Sequence, residues 1–341
     1  MNYIQTRYYG SKRKHLSWLR ENITDLKPGI ILDGLGGTGS VSFLLNELNW
    51  NVTYNDIFLF NTISAKALFN SDISQIDIDK LCQFIESIKP KHRFVTKAFD
   101  NIFFLREENM WIDGLMHQIE ELEEVHKNII LHCLFQSCIR KRPYNLFHRA
   151  NLEMRVNSTS KNFGNKTTWD RSFPHHIKQL LNELIPFVKY MSGKNKITIN
   201  ESTSASEIRK NFDSVYLDPP YFKAKKTTET YLQRYHFLEG LAQYSQWRKM
   251  IDTTSKIKII RDTNTKEWNK KEDFFINIQD VINNISPNRL ILSYISNEFP
   301  NPDEITDFLL NSFKKVSIKT KPFSASLSKK MHDELLFICE A

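Results

Sequence analysis

The sequence predicts an α/β fold, a mainly parallel sheet whose strand–helix alternation is interrupted by one long helical insert. Three observations predict it. Ile30-Ile31-Leu32-Asp33 reads as a buried strand that runs into the glycine turn Gly34-Leu35-Gly36-Gly37-Thr38-Gly39 and then an apolar-faced helix. Val215-Tyr216-Leu217 is a second short run of strand formers, and it ends on Asp218-Pro219-Pro220-Tyr221. Between these two units, over residues 58–192, the alternation stops, and it resumes afterwards.

Taken in order, the chain opens with Arg7-Tyr8-Tyr9-Gly10-Ser11-Lys12-Arg13-Lys14. Glycine allows a tight turn, and the lysine behind it can reach a carboxylate or phosphate; the segment equally suits a basic cap before a helix carrying Leu16, Leu19 and Ile23. After the glycine turn, Val41, Leu44, Leu45 and Leu48 share one helical face. Strand, glycine turn and helix is how this fold class brings backbone close to a nucleotide-like ligand, with Asp33 at the strand tip able to reach an ammonium or hydroxyls. The string also satisfies the dinucleotide pattern at Gly34, Gly36 and Gly39. Residues 51–54 form the next strand, ending at Asn55-Asp56. Asp56 suits a ribose diol, and it also suits the N-cap of the helix that follows.

Helices are expected at 58–70, 76–88, 106–123, 125–139 and 174–191. Before the last of these lies a polar, basic, irregular stretch from Arg140 to Arg171. Aromatics and amides interleave there with cations, the residue types that contact phosphates and base edges. Its candidate nucleic-acid contacts are Arg140, Lys141, Arg142, Tyr144, Asn145, His148, Arg149, Arg155 and Lys166, with Ser158, Lys161 and Asn162 in the same run. A third strand at 196–200, a short helix at 205–210 and the central strand then lead to Asp218. The two prolines stiffen the exit from that strand, and Tyr221 adds a flat ring. Residues 222–231, rich in lysine and threonine, are placed to close over a substrate, and a helix runs from His236 through Trp247. Later strands fall at 289–294, 315–319 and 334–339, the last antiparallel to its predecessor. The organisation is a site-bearing part from residues 1–70 and 193–341, with an insert at 71–192.

Apolar content of 40% and charged content of 25% suit a soluble globular chain, and a net charge of +8 favours a polyanionic partner. Cys82, Cys133, Cys138 and Cys339 form no CxxC pair, the start resembles no signal peptide, and no apolar run is long enough to span a bilayer. The expectation is a cytoplasmic protein with reduced thiols and no metal; His132, Cys133, Cys138 and His148 match no zinc spacing.

In this order the motifs resemble the alpha group of DNA adenine-N6 methyltransferases, the Dam-like family. The resemblance rests on the Tyr-Gly-Ser-Lys segment at 9–12, the glycine turn after the first strand, and Asn55-Asp56-Ile57. It continues through Phe103-Phe104 to Asp113, then residues 142–149, Asp218-Pro219-Pro220-Tyr221 and residues 235–241. Ser293-Tyr294, Asn297-Glu298 and the terminal Glu334-Leu335-Leu336-Phe337-Ile338 complete it, so it covers nearly the whole chain. It implies a Rossmann-like methyltransferase sheet with a helical DNA-recognition insert. It implies S-adenosyl-L-methionine as cofactor, held by Tyr8, Tyr9, Gly10, Lys12, Asp33, Leu35, Gly37, Gly39, Asp56 and Asp218. Leu35 departs from the family's phenylalanine, and Asn200-Glu201-Ser202 departs from its Asn-Gly-Asp, so Glu201 takes no role. Asp218, Pro219, Pro220 and Tyr221 become the catalytic set, acting on the N6 amine of an adenine flipped out of duplex DNA. The implied protein is a monomer, either the modification enzyme beside a separate restriction endonuclease or a stand-alone or phage-type methylase. The rivals are a nicotinamide-dependent oxidoreductase, an RNA adenine methyltransferase and a non-catalytic DNA-binding relative.

Overall fold

The structure is a computed structural model that describes residues 1–157, 165–200, 202–223, 229–261, 268–324 and 331–341. It divides into two compact units. The first comprises the described residues of Met1–Gly10, Ile63–Gly193 and Glu229–Thr263; the second comprises those of Ser11–Thr62, Lys194–Thr228 and Asn264–Ala341.

The second unit holds a seven-stranded sheet. Its strands are β1 (Ile30–Asp33), β2 (Asn51–Tyr54), β3 (Thr198–Ile199), β4 (Ser214–Leu217), β5 (Arg289–Ile295), β6 (Lys315–Ser324) and β7 (Met331–Glu340). They lie in the order β3-β2-β1-β4-β5-β7-β6. β1 to β5 are mutually parallel, whereas β7 runs antiparallel to both β5 and β6. The chain therefore works outward from β1 to β3 and then returns to lay β4 on the other side of β1. That reversal opens a crevice at the carboxyl ends of β1 and β4, where open α/β sheets bind ligands. β1 and β4 read as near-continuous apolar runs, as expected of central parallel strands covered on both faces. One face packs Leu32, Val215, Leu217, Leu290, Leu292 and Phe337 against the helix Phe274–Ile285.

The antiparallel turn of β7 matters for position. Glu334, near the start of β7, pairs with Ile295 at the end of β5, so it lies at the carboxyl edge of the parallel strands.

The first unit is helical around an aromatic centre. Phe99, Phe103, Phe147, Phe237 and Trp247 are fully buried, and their rings meet edge-on, stacked or tilted at centroid distances of 4.8–5.9 Å.

Several elements differ from the sequence expectation. The helix expected through 123 ends at Gln118 and tightens into a 3-10 turn, Ile119–Glu121. The helix expected to run unbroken to Trp247 is two, Tyr231–Ala242 and Tyr244–Met250, because the chain doubles back to seat the Trp247 indole on Gly240. A Cβ at Gly240 would stand 1.9 Å from that indole, so only glycine allows the approach. The stretch expected to be irregular contains helices Leu152–Val156 and Lys166–Asp170. The terminal hairpin is longer than expected, ten residues on each side. Ser158, Lys161, Asn162, Glu201 and residues 224–228 of the segment expected to close over a substrate lie outside the described residues. Among the described residues, no helix is long and apolar enough to cross a membrane.

Candidate active site

Three carboxylates converge on the carboxyl edge of the second unit's sheet: Asp33 ends β1, Asp56 follows β2, and Asp218 follows β4. Asp33 and Asp56 are buried outright, and the Asp218 side chain keeps only 16% of its surface. Burial pushes all three up from the usual carboxylate range, Asp33 to about 7 and Asp218 to about 6. Their mutual repulsion adds to the rise at Asp33.

Each is held differently. Asp33 Oδ2 accepts from the Ser42 hydroxyl at 2.6 Å, while its buried Oδ1 has no hydrogen-bond partner among the described residues. Asp56 Oδ2 accepts from the Gly37 N–H and Oδ1 from the Phe58 N–H, both at 2.8 Å. Asp56 therefore closes the glycine turn and caps the next helix together, with the Asn61 side chain as a third hydrogen-bond partner; a carboxylate's four lone pairs still leave room for a diol. The turn itself needs glycine, since Gly37 and Gly39 have φ of 49° and 79°. Leu35 packs against the sheet's apolar core.

Asp218 belongs to a compact polar cluster. Tyr221 donates to Asp218 Oδ1 at 2.9 Å, and the Lys12 ammonium lies 3.3 Å from the same oxygen. Lys12 also donates to the Tyr221 hydroxyl and, at 2.8 Å, to Glu334 Oε2. It sits 5.1 Å from the Tyr221 ring centroid, and that ring meets Tyr294 edge-on at 5.1 Å and 88°. Burial opposes the charge on Lys12, yet Asp218 and Glu334 outweigh it and raise the lysine above its ordinary value. His15 Nε2 approaches Glu334 Oε1 at 3.5 Å, and burial lowers that histidine. Lys12, expected on the cofactor, thus stands on the Asp218–Tyr221 pair.

A cradle of three up-shifted carboxylates, two of them buried and one with an oxygen unpartnered among the described residues, suits a cationic ligand bearing hydroxyls. It disfavours a pyrophosphate, which would add negative charge to the same edge. The residues present therefore fit S-adenosylmethionine better than a dinucleotide, although the glycine spacing allows both.

Tyr8, Tyr9 and Gly10 lie in the first unit. The Tyr8 ring stacks on Tyr235 at 4.7 Å, and the Tyr9 N–H donates to the Tyr235 hydroxyl at 2.7 Å. The Arg234 guanidinium covers the Tyr9 ring at 3.9 Å, and Gly10 takes a φ of 82°.

The nine basic-stretch candidates, also in the first unit, divide by exposure. Tyr144 and Arg149 are exposed, and Asn145 and His148 are half-buried. Arg140 pairs with Glu183 at 2.9 Å and Lys166 with Asp170 at 3.2 Å. The other three point inward. Arg142 donates to the carbonyls of Phe103, Leu146 and Arg149 and lies over the Phe103 ring; burial lowers it to about 9. Lys141 and Arg155 share Glu108, and Lys141 also donates to the Trp169 carbonyl at 2.7 Å. A cation that holds loop carbonyls and one that meets a phosphate look alike in sequence. Tyr144 and Asn145 both take φ of 59°, so this tight inward wrap places two non-glycine residues in the left-handed region.

Glu334 has only a faint signal in the sequence, an acid opening the apolar run of the terminal strand. Arg93, Lys97 and Arg248 have none, since they line one surface concavity with His92 and Tyr244 but come from distant stretches. His132, Cys133, Cys138 and His148 do not gather: among the described residues, no group of three or more His, Cys, Asp or Glu is placed to hold a metal ion.

Comparison with known proteins adds an independent line. A family model described as D12 class N6 adenine-specific DNA methyltransferase matches residues 8–275. The type II methyltransferase M2.HphI of Haemophilus parahaemolyticus is 28% identical over 353 residues, covering 99% of this chain and 98% of that protein. The modification methylase StsI of Streptococcus sanguinis is 23% identical over 366 residues, covering 97% of this chain and 51% of that protein.

Proposed function

The chain belongs to the D12 class of N6 adenine-specific DNA methyltransferases, and from that membership we infer that it is the modification enzyme of a type II restriction–modification system. Its reaction is methyl transfer to the N6 amine of adenine in DNA. Its methyl donor is S-adenosyl-L-methionine, and its target is double-stranded DNA. It works as a monomer, with any restriction endonuclease acting separately. The observation that carries the cofactor assignment is the trio of carboxylates at the tips of β1, β2 and β4, two of them buried outright and one of those with an oxygen unpartnered among the described residues.

When bound, the cofactor supplies an electrophilic methyl group on a sulfonium. Asp33 takes its ammonium end, the Gly37–Gly39 turn its backbone approach, and Asp56 its ribose. Leu35 packs on it. Extruding the adenine costs a few kcal/mol of lost stacking and pairing, and the Tyr221 face replaces part of it. Asp218 accepts one hydrogen of the amine and the Pro219 carbonyl the other. Both bonds pull the nitrogen lone pair out of conjugation and aim it along the transfer line. Pro220 keeps that carbonyl in place by restricting the residue before it. Asp218 accepts best when ionised, which at about 6 it mostly is by neutral pH. Its charge also stabilises the positive nitrogen as the bond forms.

The first unit carries DNA recognition. Arg149, Tyr144, Asn145 and His148 form its exposed and half-exposed face, with Arg140 and Lys166 alongside. Lys141, Arg142 and Arg155 serve it by shaping the stretch from within.

The test is methyl transfer from labelled S-adenosylmethionine to unmethylated genomic DNA, followed by nucleoside analysis. Label in N6-methyladenine is the expected result, and sequencing the product gives the site. Label in cytosine, or in RNA and not DNA, would overturn it.

A further inference from the structure

We propose that Glu334 is a positioning residue for the reaction: it draws the Lys12 ammonium to its own side, so that Lys12 braces Tyr221 and Asp218 Oδ1 and leaves Asp218 Oδ2 to the target amine. The inference rests on the reading of Asp218 as the amine's acceptor.

Lys12 stands between two carboxylates, 2.8 Å from Glu334 Oε2 and 3.3 Å from Asp218 Oδ1. The shorter, hydrogen-bonded contact goes to Glu334. Both bonds on Asp218 fall on Oδ1, one from Tyr221 and one from Lys12; Oδ2 takes none among the described residues. An isolated Lys–Asp pair in a buried site has no reason to stop there. With Glu334 neutral, the ammonium would settle on Asp218 alone, because among the described residues no other carboxylate pairs with Lys12. It would then compete with the amine for the acceptor. Glu334 is 5% exposed, and its position is built into the topology, since antiparallel β7 delivers its first residues to the carboxyl edge. His15 Nε2 on Oε1 fixes the other oxygen, so the carboxylate is held at both ends.

The charged and titratable groups that act on Asp218 come from every neighbouring strand tip: Lys12 from the N-terminal turn, Asp33 from β1, Tyr216 from β4, Tyr221 beyond it, and Glu334 from β7. On Glu334's other side stands His15, itself facing the charges of Lys12, Lys321 and Lys14. Glu334's negative charge works against ionisation of Asp218, and Lys12 works for it. Loss of the Glu334 charge therefore moves Asp218 downward twice over, directly and by releasing Lys12 to it.

The experiment compares wild type with Glu334→Gln and Glu334→Asp. In Glu334→Gln, kcat should fall at least tenfold while DNA KM and cofactor Kd change less than about twofold. Its acid limb should move to lower pH by roughly one unit, an effect of the size expected for one nearby charge. Glu334→Asp, which keeps the charge, should keep the wild-type limb and recover part of kcat. A second reading uses the enzyme without cofactor or DNA: carbon-13 titration of labelled aspartates, with Asp218 assigned through Asp218→Asn. Its midpoint should fall in Glu334→Gln and stay in Glu334→Asp. An unmoved limb and midpoint in a folded Glu334→Gln would overturn the proposal and leave Glu334 a structural ion-pair partner. Should Glu334→Gln not fold, a Glu334→Asp midpoint that drops as if the charge were lost would overturn it. If the wild type transfers no methyl while the titration responds as expected, the catalytic reading fails and the coupling between Glu334 and Asp218 stands.

Discussion

Asp33 and Asp218 are both acids raised by burial, but their charges do different work. For Asp218, ionisation is the working state, so kcat/KM should rise with pH through an apparent value near 6 and level off above it. Asp218→Ala should remove turnover, by at least about a thousandfold, while DNA affinity in a filter or fluorescence assay stays within a few-fold. Asp33 is held for a ligand and burdens the empty protein. Its folded value of about 7 lies above the ordinary 3.8, so the folded state keeps the proton that the unfolded state releases. Stability from this group is therefore lost as pH rises from about 4 through 7. Asp33→Asn should leave thermal stability unchanged at pH 4, raise it by about 2–4 kcal/mol at pH 8, and weaken cofactor binding at both, which paired melting and calorimetry would check.

Elements show which parts of the sequence speak for themselves. β1, β2 and β4 and their acids were legible because a buried parallel strand has a plain apolar signature and the loop after it starts at a fixed edge. The helices Phe274–Ile285 and Pro302–Leu310 went unread although both carry signals. Phe274, Ile278, Val281 and Ile285 repeat at helical spacing, and Asn301 before Pro302 is a cap whose side chain accepts from the Asp303 and Glu304 amides. The basic stretch was legible as cationic but not as folded. Direction is set there by which carbonyls need a donor, and no local pattern encodes that. Arg142→Ala should thus lower stability by about 2–4 kcal/mol, since it strips donors from three carbonyls and empties buried space. Arg149→Ala should leave melting unchanged and reduce the salt slope of DNA binding by about one. An unchanged slope for Arg149→Ala together with a reduced one in folded Arg142→Ala would reverse the assignment. Gly240→Ala should cost about 1–3 kcal/mol by driving the Trp247 indole off its seat, read as a lower melting temperature.

At the scale of the whole molecule, the order of motifs carried the family, while the pairing of Lys12 with Glu334 did not, because residues 322 positions apart meet only once β7 has been laid antiparallel. The same long reach governs how the chain is made. β1 needs β4 as its second neighbour, yet Ile31 and its partner Ser214 are separated by 183 residues, counted as 214 less 31. At about 5–20 residues per second, a nascent β1 waits on the order of ten to forty seconds with one hydrogen-bonding edge bare. Between them the ribosome delivers the first unit's helices up to Ser192, whose contacts are more local and form sooner. Synthesis should therefore pass through a stage in which those helices are protected and the first two strands are still protease-sensitive. During that interval, Ile31 and Leu32 need a chaperone's surface more than any later stretch of the chain.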